Sequence, residues 1–130
     1  MPLVVLVVDD SMLIRHTVCR FLEQRGFSVA SATNGQEALE VLNQIRPDLI
    51  ITDILMPKMG GVELITALKS NPKTAAIPVV IVARKQSGLK KTDDRADFTI
   101  FKDIDIEIQL EKALQQVLGN KSATHQASGN

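Results

Sequence analysis

Five short apolar runs recur along the chain: LVVLVV at 3–8, FSVASA at 27–32, DLIITD at 48–53, IPVVIVA at 77–83 and FTIFK at 98–102. Each is too short for an ordinary helix, and most are rich in β-branched residues, so they read as strands. The first, third and fourth are apolar almost throughout, as strands buried on both faces are. The segments between them carry a different period. Ile14, Val18, Phe21 and Leu22 share one helical stripe over 11–25, and Gly26 stands where that helix ends. Asn34-Gly35 marks a turn. Ala38, Val41, Leu42 and Ile45 form a second stripe, closed by Pro47. The proline and glycines of 56–61 mark a loop, and Val62, Ile65 and Leu68 give a short third helix that stops before Pro72. Ile106, Leu110, Ala113, Leu114 and Val117 make the last helix. Strands alternating with helices require right-handed βαβ crossovers. The expected fold is therefore α/β, in three αβα layers: a doubly wound parallel sheet of five strands covered on both faces.

At 130 residues the chain has the length of one domain. Residues 1–118 are assigned to it. GNKSATHQASGN at 119–130 is small and polar, offers no core residues, and reads as a disordered tail or the start of a linker. RKQSGLKKTDDRAD at 84–97 has only Leu89 and Ala96 as apolar anchors and reads as a solvated loop or a short frayed helix. Fifteen basic residues balance fifteen acidic ones, which gives no reason to expect a direct nucleic-acid or anionic-membrane partner. The single cysteine, Cys19, rules out an internal disulfide and suits a reducing compartment. No apolar run reaches the roughly 18 residues of a membrane span, and the N-terminus lacks the basic flank of a signal peptide. A cytoplasmic domain is expected.

The first strand ends on two adjacent acids, Asp9 and Asp10, followed by Ser11. A turn is one explanation, because Asp10 or Ser11 could cap the next helix. A cation is the other. The third strand also ends in an acid, Asp53, and the fifth in Lys102. Ligands of open parallel sheets bind beyond the carboxyl ends of the strands. If the first and third strands are neighbours, three carboxylates and one ammonium meet there. At about 4 Å and an effective dielectric near 20, each carboxylate pair repels by roughly 4 kcal/mol. Such a cluster takes up protons or binds a cation, and hard oxygen donors in an open crevice suit Mg²⁺. An aspartate in that group can also act as a nucleophile toward a phosphoryl donor.

VVDDS, TDILMPKMGG and the strand-end Lys102, in that order, resemble the response-regulator receiver domain, the type of the chemotaxis receiver protein, over residues 3–118. The resemblance implies the flavodoxin-like strand order 2-1-3-4-5, with five helices. It implies that Asp53 accepts a phosphoryl group, that Asp10 and the backbone carbonyl of Leu55 bind Mg²⁺ with Asp53, and that Asp9 acts mostly through a bound water. Lys102 would pair with the phosphoryl group, and Pro57 and Gly61 would shape the loop after the acceptor. The implied phosphodonor is a histidine kinase or a histidine phosphotransfer protein. The chain would be a monomer or weak dimer whose output is a protein contact. It would be a phosphoacceptor with self-catalysed phosphotransfer and dephosphorylation rather than an enzyme.

The sequence departs from the family pattern on one side. Ala83 stands where the fourth strand usually ends in a hydroxyl residue, and Arg84 replaces the small residue after it. Thr99 takes the place of the usual aromatic of strand five, and Asp103 that of the proline after the lysine, where a trans bond is expected. The chemical set is intact and the switch pair is not. A phosphorylation-independent pseudo-receiver acting as an interaction module is therefore the alternative. A haloacid-dehalogenase-type enzyme needs a second aspartate at position 55, which is Leu55, and a flavodoxin would set its phosphate against Asp9 and Asp10. His16, beside Arg15, reads as a polar-face residue, His125 lies in the tail, and Met12, Met56, Met59 and Cys19 read as packing residues.

Overall fold

A computed structural model describes residues 2–84 and 95–119. The elements run β1 Val4–Val8, α1 Met12–Gln24, β2 Ser28–Ala32, α2 Gly35–Val41, β3 Leu49–Asp53, α3 Gly61–Ser70, β4 Val79–Ala83, β5 Phe98–Phe101 and α4 Ile106–Leu118. All strand pairings are parallel, and the sheet order is β2-β1-β3-β4-β5. β3 and β4 are buried along their whole length, as their unbroken apolar runs predict.

Side-chain alternation along the strands sends the core two ways. Val5, Val7, Leu49, Ile51, Val80, Val82 and Ile100 join Val18, Phe21 and Leu22 of α1 and Leu110 and Ala113 of α4 on one face. Leu6, Val8, Ile50, Val79 and Ile81 join Ala38 of α2 and Leu64, Ile65 and Leu68 of α3 on the other. The sheet is thus sandwiched between helices, and its carboxyl edge is left to the loops.

Local chemistry sets the element ends. Ser11 Oγ accepts from the Ile14 N–H and starts α1, while Gly26, at φ 89°, takes the left-handed conformation after it. Asn34 is a helix cap as well as a turn residue: its side chain accepts from the Glu37 N–H, and α2 begins at Gly35. α2 is shorter than its apolar stripe predicts. It stops at Val41, and the Asn43 and Gln44 N–H groups bond three residues back, tightening the chain into a turn well before Pro47. Gly61, read from sequence as loop, is the first residue of α3, and Val62, expected on the buried stripe, is half-exposed because Leu64 occupies that face. Four helices lie among the described residues. Most of the stretch that would hold a fifth, residues 85–94, and the polar tail, 120–130, lie outside them. No helix among the described residues is long and apolar enough to cross a membrane.

Candidate functional site

The loops after β1, β3 and β5 open at the same edge of the sheet. β1 pairs with β3 through Val8 and Thr52, so Asp9 and Asp53, one residue further along each strand, stand side by side. Both are buried, Asp9 to 2% exposure and Asp53 to 6%, whereas Asp10 is exposed. Carboxylate oxygens of Asp9, Asp10 and Asp53 lie within 4.8 Å of one another. Lys102, directly after β5, reaches back across β4. Its Nζ sits 3.1 Å from Asp9 Oδ2 and 3.0 Å from Asp53 Oδ2 with its side chain 6% exposed.

Backbone groups fix the two buried acids. Asp9 Oδ1 accepts from the Ser11 N–H at 2.9 Å, and Asp53 Oδ1 accepts from the Ile54 N–H at 2.8 Å. The Thr52 hydroxyl donates to the Asp53 carbonyl at 2.9 Å, and the Gly61 N–H donates to the Ile54 carbonyl at 2.9 Å. A Cβ at Gly61 would lie 2.3 Å from the Asp53 carbonyl oxygen, so only glycine lets α3 start against the end of β3. Burial pushes the Asp53 carboxyl above its ordinary range, and the Asp9 charge adds to that. The Lys102 ammonium and the Ile54 N–H pull the other way without cancelling it.

A cleft of about 270 Å³ opens above these groups, lined by Asp10, Ser11, Asp53, Ile54, Leu55, Arg84 and Lys102. The sequence-predicted residues therefore converge. Asp9, Asp10, Asp53 and Lys102 form the cluster, and Leu55 and Arg84 line the cleft beside it. The donor set is all oxygen. One ammonium does not offset three carboxylates, so a small hard divalent cation fits the residues present. Pro57 precedes Lys58, which takes a positive φ of 66°, and the Met59 N–H closes the turn onto the Pro57 carbonyl at 2.7 Å. The peptide bond between Lys102 and Asp103 is trans, as expected without proline.

Two positioning residues escaped the sequence reading. Arg15 Nη1 donates to the Asp9 carbonyl at 2.8 Å, tying the strand end to α1. The Gln109 amide closes on Phe101: its Oε1 accepts from the Phe101 N–H at 2.9 Å and its Nε2 donates to the Phe101 carbonyl at 2.8 Å. β5 is an edge strand, so Gln109 satisfies the outward backbone groups that a sixth strand would have taken, and it anchors the residue before Lys102. Neither contact has a sequence signature, because both depend on where a helix packs.

The family model described as the response regulator receiver domain matches residues 5–115. Response regulator MprA of Mycolicibacterium vanbaalenii is 34% identical over 87 residues, 67% of this chain and 37% of that protein. Protein PilH of Pseudomonas aeruginosa is 34% identical over 87 residues, 67% of this chain and 72% of PilH. The solved structure of chemotaxis response regulator CheY4 of Vibrio cholerae superposes with a TM-score of 0.81 at 32% identity, covering 90% of this chain and 99% of that one. The chain thus spans little more than a third of the length of the MprA relatives. Receiver domains as a family are phosphoacceptors, bind Mg²⁺ in an acidic pocket, and interact with histidine kinases or phosphotransfer proteins. The matched span, the strand order and the acids at the sheet edge agree, and this chain belongs to the response regulator receiver domain family of two-component systems.

Proposed function

We propose that Asp53 accepts a phosphoryl group from the phosphohistidine of a histidine kinase or a histidine phosphotransfer protein, with Mg²⁺ beside it. Asp10, Asp53 and the Leu55 backbone carbonyl would hold the metal, with Asp9 acting mostly through a bound water. When bound, the metal supplies positive charge that offsets the clustered carboxylates and the incoming phosphoryl oxygens. An Asp53 carboxylate oxygen attacks phosphorus. A P–O bond forms while the P–N bond to the donor imidazole breaks, and the imidazole leaves with the electron pair and takes up a proton. Lys102 offers its ammonium to a phosphoryl oxygen. The Ile54 N–H keeps the carboxyl group turned into the cleft.

The observation that carries this reading is the Lys102 bridge, 3.1 Å to Asp9 and 3.0 Å to Asp53, at the floor of an open acidic cleft. Leu55, an exposed apolar side chain on the cleft wall, suits a protein donor, and Met12 and Leu13, in the first turn of α1, are exposed as well, Met12 against its reading as a packing residue. The receiver unit would span 1–118, act in the cytoplasm as a monomer or weak dimer, and lose its own phosphoryl group to water. Its response would differ from a hydroxyl–aromatic switch, because Ala83 and Thr99 occupy those places. The same two residues favour a second reading, an interaction module that works without phosphorylation.

Intact mass after incubation with Mg²⁺ and acetyl phosphate separates the two. The phosphoacceptor reading expects a phosphoryl adduct that needs Mg²⁺ and is absent in Asp53→Asn. No adduct on acid quenching, with no binding of the phosphoryl mimic beryllofluoride, would overturn it in favour of the interaction module.

A further inference from the structure

We propose that Arg84 contacts the phosphoryl group on Asp53 as a second cation of the site, an inference that rests on the phosphoacceptor reading above. Asp53 pairs in register with Val82 of β4, so Arg84 leaves the neighbouring strand two positions further on, at the same edge of the sheet. The Lys102 N–H donates to the Ala83 carbonyl at 2.8 Å, which holds the start of the Arg84 segment level with Lys102. Arg84 is exposed and lines the cleft that Asp10, Asp53 and Lys102 also line.

The charge arrangement gives this position its meaning. Lys102 Nζ is buried between two carboxylates at 3.0 and 3.1 Å, so much of its charge is already offset before any anion arrives. A phosphoryl group brings further negative charge and three acceptor oxygens. The other lining side chains add little to meet it. Ile54 and Leu55 have no polar atom in the side chain, and Ser11 Oγ, which accepts from the Ile14 N–H at the start of α1, brings a hydroxyl but no charge. Ala83, buried at the end of β4, has no hydroxyl to offer. A guanidinium is always protonated and presents a planar fork of donors that matches phosphate oxygens. Arg84 thus supplies the donor that its strand end otherwise lacks.

The test is beryllofluoride binding in Mg²⁺, followed by ¹⁹F NMR and calorimetry, since the chain has no tryptophan or tyrosine to report by fluorescence. Arg84→Ala is expected to weaken beryllofluoride binding by about 10- to 100-fold, the range for a hydrogen bond to a charged group. Binding of Mg²⁺ alone should be unchanged or slightly tighter. Arg84→Lys, which keeps the charge without the fork, should recover only part of the loss. Equal beryllofluoride affinity in Arg84→Ala and the wild type would overturn the inference while leaving the phosphoacceptor reading in place. A loss that Arg84→Lys fully restores and high salt abolishes would also overturn it, because a distant field rather than a contact would then be acting. Failure of the wild type itself to bind the mimic would overturn both.

Discussion

Asp53→Asn should stabilise the metal-free protein at neutral pH even though it removes an ion pair. The Asp53 carboxylate shares a site no wider than 4.8 Å with those of Asp9 and Asp10. At an effective dielectric near 20, each of those repulsions is about 3 to 4 kcal/mol. The attraction to Lys102 Nζ at 3.0 Å is about 5 to 6 kcal/mol on the same scale. The two repulsions together exceed the one attraction, and burial adds a further penalty on the charged form. A net gain of about 1 to 2 kcal/mol follows for the neutral amide, or roughly 5 °C in Tm for a domain of this size. The direction of the Asp53 shift agrees. Its folded-state pKa is raised, so its contribution to stability is present below the unfolded-state value, near 3.9, and is lost as pH rises through the folded-state value. The variant's advantage should therefore be full near pH 7 and shrink toward zero at acid pH. Urea denaturation of both proteins in chelator, at neutral and acid pH, reads this directly. Added Mg²⁺ should then stabilise the wild type more than the variant and narrow the gap. A variant less stable than the wild type in chelator at pH 7 would refute the reasoning, since the Lys102 attraction would then outweigh repulsion and burial combined.

Gly61→Ala should cost about 1 to 3 kcal/mol or more in denaturation, because the new methyl meets the Asp53 carbonyl oxygen and Ile54 Cα, backbone atoms that cannot swing aside. The same variant should bind Mg²⁺ more weakly, as calorimetry would show, because relieving the clash shifts the Asp53–Ile54 peptide. Asn34→Ala should cost about 1 kcal/mol by removing the acceptor for the Glu37 N–H, and amide exchange should quicken in the first turn of α2 while the acidic cleft stays unchanged.

The candidate site was legible in the sequence to an unusual depth because its residues sit at strand ends, and strand ends can be read from local composition. Asp9 and Asp10 follow LVVLVV, Asp53 ends LIITD, and Lys102 follows FTIF. The helix limits were less legible. The α2 stripe runs on to Ile45, yet the chain turns after Val41, since apolar spacing records which residues face the core and a turn can keep them facing it. Val62 belongs by spacing to the α3 stripe, but Leu64 and Ile65 already fill that face. The Gln109 clamp on Phe101 and the Arg15 tie to Asp9 left no trace in the sequence, because a polar residue on a helix says nothing of the strand it will meet.

The sequence by itself determined the elements, their order and the chemistry at their ends, because hydrophobic period and strand-end charge are properties of neighbouring residues. It did not determine which ends would touch. Lys102 and Asp9 are 93 residues apart, and the bridge between them exists only because β1 and β4 both flank β3 and β5 lies beyond β4. Parallel pairing joins strands that are distant along the chain, and the energy that selects one order is the burial of both sheet faces at once. That burial also raises the pKa of Asp53 and sets the Lys102 ammonium between two of three clustered carboxylates. The tertiary structure therefore decided that these four residues form one site and how strongly their charges couple.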